Sequence, residues 1–298
     1  MLGRDQVRSA AQLAPLDDPS RSFTPQEAMM SDIATAPRAG TAQIQGDLWS
    51  ARARDYAEIM EGFFRPLYES ALGRPELARA SSSLDVGCGP GLAATVFARK
   101  TANVSGIDAS AAFIEIARER LPGRDFRVGE MQTLPYADQS FDVVTGFNSF
   151  QYAASPIDAL REARRVARRA GTVVIATWGP PEDCEAAGHL KALGSLMPPP
   201  PPGAPGPFAL SDKAKLSALA SEAGLTPLEV IDVACPWNFP TLDTALRGML
   251  SAGPAERAIR NSGMERARDA VANAIASYRK NSGEYHLNNK FRYLIAHV

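Results

Sequence analysis

The chain has 298 residues, 45% apolar and 22% charged, with 32 Lys plus Arg against 33 Asp plus Glu for a formal charge of −1. That length suits one large domain or two small ones, and the composition supports a sizeable core rather than global disorder. The charge balance gives no footprint for coating nucleic acid or an anionic membrane, and no stretch reaches the roughly 20 apolar residues of a bilayer-spanning helix.

Residues 1–45, rich in Ala, Pro, Ser, Asp and Thr and without sustained period, read as a mobile leader. The N-terminus lacks a continuous apolar run, which argues against a secretory signal. Met29-Met30 offers a second translation start, under which the first 28 or 29 residues are not native. From Trp49 the pattern changes. Ile59, Phe63, Leu67 and Ala71 recur at helical spacing and predict an N-terminal helix over 46–72.

A regular alternation follows. Leu84–Val86, Val104–Ile107, Phe126–Val128, Phe141–Thr145 and Thr172–Thr177 predict strands, with helices around 90–100, 110–121 and 156–169 between them. Ser110 and Ser155 are placed as N-caps, Pro156 fits a first helical turn, and Pro122-Gly123 and Gly171 are stops. The alternation predicts an α/β fold, a doubly wound and mostly parallel sheet covered on both faces.

After Trp178 the character shifts. Seven of the ten residues from Pro198 to Pro207 are proline, and 179–210 reads as a Pro-rich surface loop. Ser211–Ala223 predicts a helix ending at Gly224, and Leu228–Val233 a strand. A mostly helical stretch over 241–280 follows, and Lys290–Val298 closes the chain as a final strand.

Three cysteines (Cys88, Cys184, Cys235) form no CxxC pair, and with three histidines (His189, His286, His297) they predict neither a disulfide framework nor a metal site. A reducing cytoplasm is the expected compartment. The arginines at 161, 164, 165, 168 and 169, with Glu162 interleaved, read as a solvated face. His189 reads as a structural or solvent-facing histidine rather than a general base. Gln151-Tyr152 and the pair Trp237 and Phe239 either face an acceptor or pack. No residue is singled out as catalytic.

The informative segment is SSSLDVGCGPGLAA, residues 81–94. A strand ending in Asp85 is followed by Gly87, Gly89 and Gly91 at alternate positions before a helix. Glycines there let the backbone turn sharply and approach a ligand closely, at the sheet edge where open α/β folds bind ligands. A dinucleotide fingerprint needs a third glycine where Leu92 stands, and a pyrophosphate would be repelled by Asp85. A ligand carrying an ammonium and a sulfonium would be attracted.

Here the sequence resembles the class I S-adenosylmethionine-dependent methyltransferases. LDVGCGPG matches their first motif, and the resemblance continues at GIDAS (106–110), GEMQTLPYADQSFDVV (129–144), FNSFQY (147–152) and LREARRVARRAGTVVIATW (160–178). It covers roughly 46–298 and looks like the small-molecule branch that includes quinone-biosynthesis and natural-product enzymes. The resemblance implies a Rossmann-like fold with the last strand antiparallel and helical additions, S-adenosylmethionine as cofactor, and O- or C-methylation of a small-molecule acceptor rather than nucleic acid.

It also implies roles. Asp85 and the loop Gly87, Cys88, Gly89, Pro90 and Gly91 would face the methionine moiety. Asp108 would accept from both ribose hydroxyls, as suits a carboxylate's two oxygens, with Ala109 and Ser110 at the adenosine end. Glu130 and Met131 stand where the family reads adenine, although Asp then Ala is commoner there. Asn148 would lie near the methionine moiety and the transferred methyl. Tyr56, in a segment resembling the family's W-x-x-x-A-x-x-Y helix (Trp49, Ala53, Tyr56), would close over the cofactor. Residues 46–72, the Pro-rich loop and 241–280 are the expected acceptor lid. An NAD(P)-dependent oxidoreductase and a non-catalytic cofactor-binding module are the alternatives.

Overall fold

The computed structural model describes residues 40–101, 103–199 and 206–298. The first six strands are β1 (Ser82–Val86), β2 (Asn103–Asp108), β3 (Asp125–Val128), β4 (Phe141–Phe147), β5 (Ala167–Trp178) and β6 (Thr226–Ala234). β7 (Trp237–Phe239) and β8 (Tyr285–Leu287) pair as a separate antiparallel ribbon, and β9 (Lys290–His297) returns to the main sheet. That sheet runs β3-β2-β1-β4-β5-β9-β6, with β9 antiparallel to both its neighbours and the other pairings parallel. The expected doubly wound sheet with a reversed last strand is present.

Side-chain alternation explains why both faces are covered. Along β5, Val174 and Ala176 join one core while Val173 and Ile175 join the other; along β9, Tyr293 and Ile295 alternate in the same way with Leu294 and Ala296. Successive strand residues point to opposite faces, so a continuously apolar strand requires a layer on each side. The helices supply those layers. In chain order they are α1 (Ala42–Ser50), α2 (Arg65–Leu72), α3 (Leu92–Phe97), α4 (Ala111–Arg120), α5 (Pro156–Val166), α6 (Ala187–Gly194), α7 (Lys213–Glu222), α8 (Leu242–Met249), α9 (Gly253–Ser262) and α10 (Met264–Ile275). Leu160 and Leu216 anchor α5 and α7 on one face, and Leu67, Phe97, Leu246 and Ile275 anchor α2, α3, α8 and α10 on the other. No helix among the described residues is long and apolar enough to cross a membrane.

Several boundaries differ from expectation. Residues 42–45, assigned to the leader, are the first turn of α1; residues 1–39, including Met29-Met30, lie outside the described residues. The predicted helix over 46–72 is broken into α1, a short turn at Ala53–Asp55, a π turn at Tyr56–Met60, a 3-10 turn at Glu61–Phe64, and α2. Pro66 sits in the first turn of α2, where its missing N–H ends one helix and starts another. The helix expected over 156–169 stops at Val166, because Ala167 pairs with Phe141 and opens β5. The expected 179–210 loop contains α6, and residues 200–205 lie outside the described set.

Candidate functional site at the carboxyl edge of the sheet

β1 ends at Val86, and the chain then turns through Gly87 (φ 71°), Gly89 (φ 52°) and Gly91 (φ 88°), left-handed conformations that glycine adopts without a Cβ clash. The N–H groups of Gly87 and Cys88 both donate to the carbonyl of Ile107, at 2.8 and 3.0 Å, fastening the loop to β2. Asp108, the last residue of β2, tightens the same junction. Its Oδ2 accepts from Gly89 N–H at 2.9 Å and its Oδ1 from Ser110 N–H at 2.8 Å. The first two glycines are needed for different reasons. A Cβ on Gly87 would lie 2.3 Å from the Ser149 Cβ, whereas a Cβ on Gly89 would meet no protein atom within 4 Å. Gly89 opens onto space.

That space is a cavity of roughly 820 Å³, counting its open mouth, in the range of small-molecule sites. The carboxyl ends of β1, β2 and β4 form its floor, and α1 and the segment from Tyr56 to Tyr68 form its roof. Of the sequence-predicted residues, Tyr56, Gly87, Gly89, Asp108, Ala109, Glu130, Met131 and Asn148 line it. Among the described residues the lining holds no Lys, Arg or His, and its carboxylates are Asp108 and Glu130. Burial pushes the Asp108 carboxyl up to about 6, against the backbone N–H groups of Ser110, Gly89 and Ala109 that favour its charge.

Five predicted residues stand behind the lining. Asp85 is buried beneath the loop, where its Oδ1 accepts from Thr145 Oγ1 at 2.7 Å; burial pushes its carboxyl up to about 7. Cys88 packs into the sheet, its Sγ 2.8 Å from where a Cβ on Gly106 would stand, and burial raises its thiol well above the usual range. The Pro90 carbonyl accepts from Arg120 at 2.9 Å, and Gly91 packs against Ala117 at the start of α3. The Ser110 hydroxyl turns inward to cap α4, accepting from Phe113 N–H at 3.1 Å. These five shape the loop and its supports rather than face the cavity.

The roof was the least legible part. Gly46 lets α1 lie directly on the turn after β2, since a Cβ there would be 2.4 Å from the Ala109 carbonyl oxygen. At its N-terminus, Ala42 N–H donates to Glu130 Oε2 at 2.9 Å, while Glu130 Oε1 accepts from Gln132 N–H at 3.0 Å. At its other end the Ser50 hydroxyl meets that of Ser110 at 2.8 Å. Trp49 packs edge-on against Tyr56 and Tyr152, with ring centroids 5.4 and 5.7 Å apart. Glu61, on the 3-10 turn, is a buried acid that sequence reading missed. Its Oε1 accepts from Leu92 N–H at 2.9 Å at the start of α3, and it pairs with Arg120. Further lining residues not singled out earlier are Gln45, Leu67, Tyr68, Phe113 and Phe147; the i, i+4 recurrence of Phe64 and Tyr68 is the signal that marks a shared helical face.

Residues left open by sequence sort clearly. Tyr152 lines the cavity, whereas Trp237 and Phe239 belong to the core. His189 is buried beside Trp237, with ring centroids 5.9 Å apart, and burial lowers it to about 4. It lies outside the lining. Arg161, Arg165 and Arg168 pair with Asp158, Glu162 and Asp138, and Asp142 on the surface.

Comparison with known proteins bears on the same region. A family model described as a methyltransferase domain matches residues 84–175. A demethylmenaquinone methyltransferase of Thermotoga maritima is 36% identical over 112 residues, which span 37% of this chain and 49% of that protein. A methyltransferase of Streptomyces halstedii is 31% identical over 219 residues, 67% of this chain and 73% of its own length. The chain therefore matches about half the length of the first relative and about three quarters of the second. Among solved structures, an S-adenosylmethionine-dependent methyltransferase of Thermotoga maritima, described as a possible histamine N-methyltransferase, has the same fold. It superposes with TM-score 0.50 at 17% identity, over 85% of this chain and 99% of that one.

Proposed function

The chain belongs to the class I S-adenosylmethionine-dependent methyltransferases, and on that premise we propose that it methylates a small molecule on oxygen or carbon, with the donor held above β1, β2 and β4. One observation carries the reading: the cavity offers a glycine cradle open at Gly89 and carboxylates with no cation among the described lining residues. This set fits the donor. A positive sulfur is attracted to acids, and a pyrophosphate carrier would be repelled by them.

The roles follow the geometry. Gly87 and Gly89 cradle the methionine portion, with Asp85 beneath them and Cys88, Pro90 and Gly91 holding the loop's shape. Asp108 keeps a lone pair on each oxygen for the ribose hydroxyls after its two backbone bonds. Ala109, Glu130 and Met131 border adenine, with Ser110 supporting the turn, and Asn148 stands toward the reacting end. Tyr56 closes the roof with α1.

When bound, S-adenosylmethionine supplies a methyl group on a charged sulfur that departs as a neutral thioether. The chain's share is orientation, which can lower a barrier by about 7–11 kcal/mol when reacting atoms are held in line. Burial holds the Tyr56 and Tyr68 hydroxyls well above their usual range, so neither acts as a base at neutral pH. A carbon acceptor that already carries enolate character would need less help from a base. The lid in this reading comprises the segment over 46–72, the Pro-rich loop and α8–α10. A cytoplasmic location accords with three free, buried cysteines.

Calorimetry with adenosylhomocysteine and with NADH tests the proposal. Binding of the nucleoside thioether alone is expected; binding of NADH alone would overturn it. Methylated product from a panel of phenols, quinols and small acids separates an enzyme from a module that merely holds the cofactor.

A further inference from the structure

Asn148 is the non-glycine residue of the cavity lining held in the left-handed region, at φ 56°. It follows β4, and its N–H donates to the Ala176 carbonyl at 2.8 Å, which pins the turn. Its side chain is pinned as well. Oδ1 accepts from Gln151 Nε2 at 2.5 Å, leaving Nδ2 as the free donor of a cavity residue. Gln151 is 5% exposed and stands behind the lining, with its Oε1 buried and without a partner among the described residues. Reversing the Gln151 amide would strand two buried N–H donors in place of one oxygen. The arrangement with Nε2 toward Asn148 leaves less unsatisfied.

Aromatic and aliphatic side chains share the lining with this donor. Phe147 precedes Asn148 in the chain, Phe64, Leu67 and Tyr68 line the same cavity, and the Tyr68 and Phe147 rings meet edge-on with centroids 4.8 Å apart. The walls favour a flat apolar body, and a phosphate or carboxylate on that body would meet no basic partner among the described lining residues.

Resting on the methyltransferase reading, we propose that this end takes a flat, largely apolar acceptor through one oxygen, a phenol, quinol or enol, that accepts from Asn148 Nδ2. Gln151 is the positioning residue that keeps the Asn148 amide turned donor-first. A protonated amine in the same place would set N–H against N–H.

Protein saturated with adenosylhomocysteine and titrated calorimetrically with 2-methoxynaphthalene, whose oxygen accepts but cannot donate, 2-ethylnaphthalene and 2-naphthoate tests this. The expected result is the ether bound about tenfold more tightly than 2-ethylnaphthalene, the scale of one hydrogen bond, with 2-naphthoate no tighter than the hydrocarbon. Gln151→Met removes the bond, and Gln151→Glu offers only acceptors and turns the Asn148 amide over. Both variants should keep the affinity for adenosylhomocysteine while the preference for the ether falls below about threefold. Equal binding of ether and hydrocarbon by the wild type, tightest binding of 2-naphthoate, or a preference surviving in both variants would overturn the proposal. Loss of adenosylhomocysteine binding in both variants would assign Gln151 to the cofactor site and end the positioning role. A wild-type protein that fails to bind adenosylhomocysteine fails the methyltransferase reading first, and this inference with it.

Discussion

Alanine at Gly89 separates a loop that shapes a binding site from one that only turns the chain. At φ 52° the new residue is left-handed, which costs about 1–2 kcal/mol. Its methyl group meets no protein atom within 4 Å, so packing adds nothing to that loss. For a domain of this size the melting temperature should fall by about 2–8 °C. The methyl projects into the cavity where the methionine portion is proposed to lie. Overpacking of about 1–3 kcal/mol there weakens adenosylhomocysteine by roughly 5- to 150-fold. Gly87→Ala carries the same backbone penalty plus a methyl 2.3 Å from the Ser149 Cβ, so its damage falls on the fold. Thermal unfolding with and without adenosylhomocysteine reads both effects. Ligand at about 100 times its Kd stabilises the wild type by about 2.7 kcal/mol, and Gly89→Ala should lose about 0.9–2.4 kcal/mol of that at the same ligand concentration while staying folded. A Gly89→Ala protein stabilised as strongly as the wild type would remove the glycine loop from the site.

Three further outcomes follow from the same geometry. Asp108→Asn keeps the shape but sets an amino group against one of the N–H groups of Gly89 and Ser110, and should weaken adenosylhomocysteine by about 1–3 kcal/mol in calorimetry; unchanged affinity would dissociate Asp108 from the ligand. Burial raises Asp85 to about 7 and Asp108 to about 6 from their ordinary 3.8, so the unfolded chain releases these protons first. Their contribution to stability therefore falls as pH rises from about 4 to about 7 and is flat above, and urea titrations of Asp85→Asn should show a shallower decline than the wild type. Over pH 6–7 S-adenosylmethionine should tighten more than its neutral-sulfur product, and parallel binding curves for the two would refute this. Gly46→Val forces α1 off the Ala109 carbonyl, so amide exchange over 42–50 should accelerate and cofactor affinity should drop; unchanged exchange there would show that α1 does not close the site.

What could be read from sequence was local and periodic. Strands buried on both faces announce themselves as continuous apolar runs, and Ser110 and Ser155 mark helix starts with the bonds they were expected to make, to Phe113 and Asp158. The glycine spacing likewise encodes a turn directly. Asp85 is expected at the cavity because the strand reads as ending there, but a strand alternates its side chains, and this one points to Thr145 beneath the loop. Long-range placement carries no such period. Nothing in residues 42–46 announces that a helix there will lie on Ala109 with its first N–H bonded to Glu130, because the partners are 88 residues apart in the case of that bond. The break at 56–64 was hidden for a related reason. Apolar residues recur through a π turn and a 3-10 turn nearly as through an α-helix, and only Pro66 signals the restart.

The charge arrangement connects recognition to turnover. Asp108 and Glu130 in the lining, with Asp85 and Glu61 just behind it, set negative charge around one end of a cavity whose described lining residues include no cation. Glu61 is balanced by Arg120, and Glu130 is bonded to the N-terminus of α1, which leaves Asp85 and Asp108 as the acids whose charge is held by hydrogen bonds alone. Such a pair favours a cation over a neutral molecule of the same outline, because the Coulomb attraction is lost with the charge while the desolvation of the acids remains. In the proposed reading, methyl transfer converts a cationic donor into a neutral thioether, so the acids proposed to draw the donor in would hold the product less tightly. The proposed roof of α1 would then need to open only far enough to exchange a weakly held molecule for a strongly held one.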